Sequence, residues 1–435
     1  MNEKNRSIGL LGAISIGIGG MVGGGIFAVL GEAVSLAHGA TAVAFFFAGI
    51  VALLTAYSYA KLSVTYQSRG GTIVFIDKAF GHNLLSGSAN VMLWLSYLIT
   101  ISLYAVAFAS YAQTFFSHDS KWLKHLLISV AILLPLVINL ISASFVSRSE
   151  TLFVVLKLLI LFLIIFTSAF YIDMERLSPT QWGSGFSILV AGMIIFVAYE
   201  GFELIANAAE DVKHPKTTLP RAFYGSVILV IVLYILIAII TTGSVPESQL
   251  LTAKDYALAV AAKPALGQLG FTMVAIAALL ATLSAINATI YGNARLGFIL
   301  AKKGDLPKKL AIENHRHIPT LDVIVTATLS LMLANSIDLT EIAIIGSASF
   351  LLIFFIVNIA AYQLRLTIQA NPVIIFIASL VSGSALITLL IHTFENNPRA
   401  IVIFIAFIAI SILFELLYGT IIRKHLFQRS YIPKK

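Results

Sequence analysis

The sequence is divided into long apolar segments separated by short polar gaps, and this pattern leaves few folds open to the chain. A helix needs about 20 apolar residues to cross a bilayer, and about twelve such segments follow one another within 435 residues. The pattern therefore predicts an all-α integral membrane protein, with gaps too short to hold a soluble domain. The approximate segments are 8–36, 39–66, 83–116, 124–143, 149–171, 185–210, 219–243, 267–300, 320–335, 339–366, 372–392 and 398–422.

Charged residues are too few to coat a soluble protein of this size. They make up 11% of the chain, whereas soluble proteins carry about 25%. This excludes secreted domains, DNA-binding modules and most cytosolic enzymes. The net charge of +8 does not indicate a nucleic-acid partner, because the bases lie in gaps between apolar segments and not on one soluble face. The chain lacks cysteine, which excludes disulfides, thiolate nucleophiles and cysteine metal sites.

Lys and Arg residues are distributed unequally between alternate gaps, and this predicts the orientation of the chain. With a cytoplasmic N-terminus, the gaps and tails on that side contain 21 bases and the gaps on the other side contain six. Cytoplasmic loops are typically enriched in Lys and Arg, so we expect both termini in the cytoplasm and a multi-pass protein of the cell (plasma or inner) membrane. The first apolar segment is longer than that of a signal peptide, so we expect no cleaved leader.

The first apolar segment contains six glycines in the nine positions from Gly17 to Gly25. Each glycine costs about 1 kcal/mol in a helix interior, so we expect the helix to break there. A break inside a membrane leaves backbone groups free to bind a polar ligand. The N–H groups of Gly23, Gly24 and Gly25 would then lie at a half-helix N-terminus, which favours a carboxylate. Tight helix packing is the alternative explanation for glycines four residues apart.

The sixth apolar segment contains two carboxylates, Glu200 and Glu203, on either side of Gly201. Charged groups at this depth typically face the interior of a helix bundle and mark functional sites. A structural role as helix caps or as partners of loop bases is the alternative. Two interrupted segments, each opening a set of about five, indicate an inverted-repeat transporter with its substrate site between them.

Two motifs resemble the amino acid–polyamine–organocation (APC) superfamily. One is the glycine string that ends in Gly-Gly-Gly-Ile-Phe at residues 23–27, and the other is Tyr-Glu-Gly-Phe-Glu at residues 199–203, followed by Ala-Asn-Ala-Ala-Glu-Asp-Val-Lys-His-Pro. The twelve-segment layout agrees over essentially the whole chain. The resemblance implies the LeuT-like fold, a five-plus-five inverted repeat with discontinuous helices 1 and 6. The repeats would lie at residues 8–171 and 185–366, followed by two accessory helices at 372–422.

The resemblance also implies roles for individual positions. The substrate carboxylate would bind the N–H groups of Gly23, Gly24 and Gly25, although many relatives have a hydroxyl residue where this chain has Gly24. The α-amino group would meet backbone carbonyls near Met21 and in the sixth segment, where Phe196 or Phe202 would form an aromatic lid unless these rings are ordinary packing. The positions of the sixth segment assigned to the site are Phe196, Val197, Tyr199, Glu200, Gly201 and Phe202, with Glu203 as an ionisable neighbour.

Lys157 is the one base that topology does not explain, because it lies inside the fifth apolar segment. A charged Lys at that depth is costly. In sodium-driven relatives of this fold, an ion lies between helices 1 and 8, close to helix 5, and we expect the Lys157 ammonium group to take its place. It would contact a carbonyl near Gly19 and either Thr282 or Ser284. Our hypothesis is that Lys157 carries the coupled proton; a side chain that reaches the cytoplasmic interface is the alternative.

Together, these features predict a secondary active amino-acid transporter that works by proton-coupled symport and alternating access. A polyamine or amino-acid exchanger and a sodium-coupled carrier stay open as alternatives. An intramembrane enzyme is disfavoured because the segments show no catalytic set, and a channel because a glycine cradle suits a zwitterion better than an open pore. A glutamate that faces the site would favour a cationic substrate or a polyamine, and small or neutral amino acids are expected otherwise.

We expect the amino-acid substrate and the lipid bilayer to be the partners of this chain. Neither a cofactor, a metal, a nucleic acid nor an obligate protein partner is indicated by the sequence. The driving ion is expected to be H⁺.

Overall fold

The computed structural model describes residues 6–116, 120–141, 143–314 and 318–423, with the backbone alone for 143–152 and 423. Several of the bases counted above, namely Lys4, Arg316 and those of the tail 424–435, lie outside the described residues. Within these ranges the chain is helical, and the only β-pairings described are the isolated bridges of Ile8 with Val212 and of His38 with Trp182. The predicted all-α fold class is confirmed.

The α-helices follow the apolar segments of the sequence. In chain order they are α1 (Leu10–Met21), α2 (Gly25–Ala37), α3 (Thr41–Thr65), α4 (Gly71–Phe80), α5 (Leu84–Gln113), α6 (Lys121–Ile141), α7 (Ala143–Ser168), α8 (Gly185–Ile194), α9 (Leu204–Asn207), α10 (Pro215–Ser244), α11 (Glu247–Thr252), α12 (Ala257–Ala261), α13 (Lys263–Lys303), α14 (Thr320–Ser336), α15 (Leu339–Gln363), α16 (Pro372–Asn396) and α17 (Pro398–Tyr418).

Ten helical stretches of the described chain are long and apolar enough to cross a membrane, and the bent pair α1 and α2 makes an eleventh span. The ninth predicted segment corresponds to α14, which is apolar but only 17 residues long. This is at the lower limit for a transmembrane helix. Each of the twelve predicted segments therefore falls on a helix or on the bent pair, and α14 is the one that is too short to be counted among the long spans.

The first segment is broken where the glycines are concentrated. Helix α1 ends at Met21, Val22 leaves the helical region with ψ 38°, and α2 begins at Gly25. The two halves are bent by 49°. Because glycine weakens a helix most among the non-proline residues, the run of glycines accounts for the position of this break, which confirms a discontinuous helix 1.

The sixth segment is interrupted in a different way. No loop separates α8 from α9; the chain between them, Ile195–Glu203, forms a 3-10 helix with three residues per turn. The expected discontinuity is therefore a change of helical winding and not an unwound stretch. Its cause is visible at Gly201, where a Cβ atom would lie 2.5 Å from the Cα of Gly20. The two backbones touch at this crossing, so glycine is needed on both sides.

The interrupted segments lie at the centre of the bundle. The span 185–207 and helix α5 each have 89% of their most apolar window buried, whereas α17 has 28% and α16 has 33%. Helix α10 packs on α3 and α1, and α13 packs on α5 and α7. The spans 121–141 and 153–171 are as exposed as α17, with 28% buried, so the accessory role of the last two helices stays a prediction. The division into repeats at 8–171 and 185–366 stays a prediction.

Contacts between the polar gaps bring the predicted cytoplasmic segments to one end of the bundle. Arg6 donates to the carbonyl of Val212, and Arg69 forms an ion pair with Asp211 at 3.4 Å. Lys303 lies 3.0 Å from Asp77. Residues from four different gaps thus meet at the end where the chain enters its first span.

Candidate substrate and coupling site

The glycine triplet forms the start of α2, as the sequence predicts. Gly24 is the N-cap residue, Gly25 is the first helical residue, and the N–H of Ala28 donates to the carbonyl of Gly24 at 3.0 Å. The N–H groups of the first helical turn have no partner within the helix, which makes this end suitable for an anion. A Cβ at Gly25 would lie 2.8 Å from the Cα of Ala198, so the 3-10 segment packs directly against the triplet.

Tyr104 of α5 covers the middle of the triplet. A Cβ at Gly24 would lie 2.8 Å from Cγ of Tyr104, and the Tyr104 hydroxyl lies 3.6 Å from the position that a Cβ at Gly23 would take. The aromatic ring therefore fills the space that the hydroxyl side chain of many relatives would need. Sequence reasoning missed Tyr104, because one of 15 tyrosines in an apolar helix carries no distinctive signal.

Tyr234 of α10 links the two interrupted segments. Its hydroxyl lies 2.7 Å from the carbonyl oxygen of Met21 and 3.2 Å from that of Ala198. Met21 is the residue whose carbonyl was expected to meet the substrate α-amino group. A carbonyl oxygen has two lone pairs, so an amine would share this oxygen with the tyrosine or displace it. The role of Met21 stays a prediction.

A side chain of α15 and a backbone carbonyl of α3 form hydrogen bonds with groups of the 3-10 segment and of the residue before it. The Ser347 hydroxyl donates to the carbonyl of Ile194 at 2.6 Å and accepts the N–H of Val197 at 2.9 Å. The Tyr199 hydroxyl donates to the carbonyl of Phe45 at 3.0 Å. Val197 and Tyr199 are thus held rigidly at the centre of the bundle.

The two phenylalanines proposed as lids lie in an aromatic cluster. Phe196 packs edge-on against Phe354 with ring centroids 5.8 Å apart, and Phe202 lies 5.2 Å from the same ring. Phe202 also contacts Tyr59. Both rings are fully buried. In this conformation they have the environment of packing residues.

The two carboxylates of the 3-10 segment have different partners. Glu203 accepts hydrogen bonds from the hydroxyls of Tyr97, of Tyr59 at 3.2 Å and of Thr72 at 3.3 Å. Glu200 accepts one hydrogen bond, from the Thr100 hydroxyl at 2.8 Å, and its second oxygen is buried with no hydrogen-bond partner among the described residues. Residues three apart in a 3-10 helix lie on the same face, so both glutamates face α5, and only Glu203 is fully satisfied there.

Lys157 is buried beside the end of α1, and its coupling role stays a prediction. Its side chain is 3% exposed, and its ammonium group donates to the carbonyl of Gly19 at 3.3 Å. Gly19 belongs to the last turn of α1, where carbonyls lack helical partners. The Thr282 hydroxyl donates to the carbonyls of Ala278 and Leu279 in its own helix, so only its oxygen lone pair is available to a cation.

A cavity of about 30 Å³ lies between these groups. This volume admits water but is too small for an amino acid. Five of the predicted residues line it, whereas the glycine triplet, Met21 and the aromatic residues of the 3-10 segment do not. The predicted lining residues are Gly19, Lys157, Glu200, Gly201 and Ser284, and those that the sequence did not indicate include Gly20, Tyr97, Tyr104 and Thr289.

The site is formed by donors and acceptors for an organic ligand. Among the described residues, no three His, Cys, Asp or Glu side chains are grouped to hold a metal ion. The cavity combines a carboxylate, an ammonium group, hydroxyls and backbone carbonyls. Such a set is suited to binding a small zwitterion and to exchanging a proton.

Comparison with known proteins gives a consistent result over the whole set of spans. The sequence pattern of the amino acid permease family matches residues 8–417. The chain is 34% identical to the inner membrane transport protein YbaT of Escherichia coli, over 95% of this chain and 96% of that protein. It is 33% identical to an uncharacterized protein of Methanocaldococcus jannaschii, over 99% of this chain and 100% of that protein. It is 24% identical to the branched-chain amino acid permease BcaP of Bacillus subtilis, over 83% of this chain and 81% of that protein.

Proposed function

The chain belongs to the amino acid permease family of the APC superfamily, and we propose that it is a secondary active amino-acid transporter driven by protons. The family membership supports amino acids as the substrate class, in line with relatives such as the branched-chain amino acid permease. The observation that carries the proton coupling is the buried ammonium group of Lys157 at the Gly19 carbonyl.

In this proposal the substrate binds between the broken first span and the 3-10 segment. Its carboxylate is held by the free N–H groups at the start of α2, around Gly23, Gly24 and Gly25, where the half-helix dipole favours negative charge. Its α-amino group is held by carbonyls of Met21 and of the 3-10 segment. The cavity must enlarge to admit the substrate, which is what alternating access between the two repeats would provide.

The proposed role of Lys157 follows from its contacts. When protonated, the ammonium group holds α7 to the end of α1 through the Gly19 carbonyl. When deprotonated, it carries no charge to attract that carbonyl, and the two elements are free to move apart. The position of a proton on one side chain would in this way bias the equilibrium between two conformations, as a coupling ion must.

The test is amino-acid uptake by Lys157→Ala protein in liposomes with an imposed proton gradient. We expect uptake driven by the gradient to be lost, while exchange of external for internal amino acid persists. Full uptake that still depends on pH would contradict the proposal. Replacing sodium by choline at constant pH should leave wild-type uptake unchanged, and loss of uptake in choline would favour a sodium-coupled carrier.

The protein is a multi-pass membrane protein, and we propose the orientation with both termini in the cytoplasm. The proposal is supported by the bases that meet at one end of the bundle, including Arg6, Arg69 and Lys303. Cytoplasmic loops typically carry such an excess. Under this orientation, the cavity beside Lys157 lies on the cytoplasmic side of the break at residues 22–24.

A further inference from the structure

The cavity between α1, α7 and the 3-10 segment contains two side chains of opposite charge. Glu200 and Lys157 both line it, and each is only 3% exposed. One oxygen of Glu200 accepts from Thr100, and its other oxygen has no partner among the described residues. A buried carboxylate oxygen without a hydrogen bond is costly, so this oxygen is available for a ligand or a water molecule in the cavity.

The other polar side chains that line the cavity are neutral. They are the hydroxyls of Tyr97, Tyr104, Ser284 and Thr289. Glu203 lies on the same face of the 3-10 helix but outside the lining, and three hydroxyls saturate it. Among the described residues, the formal charge of the cavity wall is therefore the sum of the charges of Glu200 and Lys157.

This sum does not depend on which of the two holds a single shared proton. If the proton is on Lys157, the pair consists of a carboxylate and an ammonium group, and if it is on Glu200 both groups are neutral. In each case the sum is zero, and a second proton makes it positive. A cationic substrate side chain in the cavity would then be a buried charge without a counterion, which is strongly unfavourable.

We propose that Glu200 and Lys157 balance each other across the cavity and thereby restrict the transporter to amino acids with uncharged side chains. This inference rests on the proposed function. It differs from the sequence-based expectation that a glutamate facing the site favours cationic amino acids or polyamines, because that expectation counted the carboxylate and not the lysine that lines the same cavity. Glu200 is in this account a specificity-determining residue.

The test is competition for alanine binding to the purified full-length protein. Radiolabelled alanine is displaced by unlabelled leucine, lysine or glutamate, and the affinities of lysine and of glutamate, each divided by that of leucine, are compared between variants. In the wild-type protein, lysine and glutamate should compete at least about tenfold more weakly than leucine, equivalent to about 1.4 kcal/mol.

Single neutralising substitutions should change this selectivity in opposite directions. Lys157→Gln leaves Glu200 unbalanced, so the lysine to leucine ratio should rise about tenfold. Glu200→Gln removes the negative charge from the described cavity lining and keeps the positive one, so the glutamate to leucine ratio should rise about tenfold and the lysine to leucine ratio should not. The double variant should restore the wild-type order. The control Glu415→Gln, which removes a buried carboxylate of α17 that does not line the cavity, should keep it.

The inference is overturned if the ratio of glutamate to leucine affinity stays unchanged in Glu200→Gln protein that elutes as a single species in gel filtration, or if the wild-type protein binds lysine as well as leucine. The Glu200→Gln arm decides the matter even if Lys157→Gln protein does not fold. Absence of any amino-acid binding or uptake by the wild-type protein would instead contradict the proposed function itself. The two failures are therefore distinguishable.

Discussion

At the scale of single residues, the site is defined by contacts between elements far apart in sequence. The Tyr104 ring against Gly24 and the Tyr234 hydroxyl at Met21 join positions 80 and 213 residues apart. No pattern within a short stretch of sequence predicts such contacts. Lys157 could be recognised from the sequence because it is a charged residue in an otherwise apolar segment. Tyrosines are common in apolar helices, so the sequence does not single out Tyr104 or Tyr234.

The Gly24–Tyr104 contact predicts the effect of adding a single methyl group. Gly24→Ala places a Cβ 2.8 Å from Cγ of Tyr104, which is closer than van der Waals contact. Overpacking of this kind costs about 1–3 kcal/mol. We expect a lower melting temperature in detergent and weaker substrate binding. The matched control is Gly292→Ala in α13, where a Cβ meets nothing within 4 Å. Equal melting temperatures for the two variants would show that the ring does not constrain position 24.

At the scale of elements, the two interrupted segments differ in how far the sequence predicts them. The break between α1 and α2 follows from local propensity, since six glycines remove the preference for a helix at that point. The 3-10 winding of residues 195–203 does not follow from propensity. It depends on the close crossing of Gly201 with Gly20 and on groups supplied by α15 and α3, which only the folded chain brings together.

The 3-10 winding predicts a specific cost for losing the hydroxyl of Ser347. Ser347→Ala removes the hydroxyl that bonds both the Val197 N–H and the Ile194 carbonyl, and each buried hydrogen bond that is lost costs about 0.5–1.5 kcal/mol. We expect reduced thermal stability and loss of transport. Ser349→Ala is the control, because the Ser349 hydroxyl is buried in the same helix without a hydrogen-bond partner among the described residues. If both variants melt at the wild-type temperature, the serine bridge does not hold the segment.

At the scale of the whole molecule, the two halves of the broken span are anchored to opposite ends of the bundle. The chain entering α1 pairs with the end of the sixth segment, through the Ser7 N–H and the Asp211 carbonyl at 3.1 Å. Helix α2 is held at the other end by Glu32, which lies 2.7 Å from Lys254 and also accepts from Thr340. Each half can therefore follow a different set of helices, as alternating access requires.

The overall architecture could largely be predicted from the sequence, because the surrounding medium is a lipid bilayer. A bilayer forces each spanning segment to be apolar and helical, so the twelve segments could be located from the composition. The closed state of the cavity is not, because it depends on how side chains such as Tyr104 and Glu200 pack between helices. The sequence indicated which elements form the site, and packing decides its shape.

Proton coupling is tested by recording proton entry and amino-acid entry into liposomes at the same time. Vesicles containing the protein, a trapped pH indicator and no proton gradient are given radiolabelled amino acid. We expect the vesicle interior to become more acidic during uptake. About one proton should enter with each amino acid in the wild-type protein, and no proton should enter in Lys157→Ala protein. Amino-acid uptake by the wild-type protein without any proton entry would contradict it.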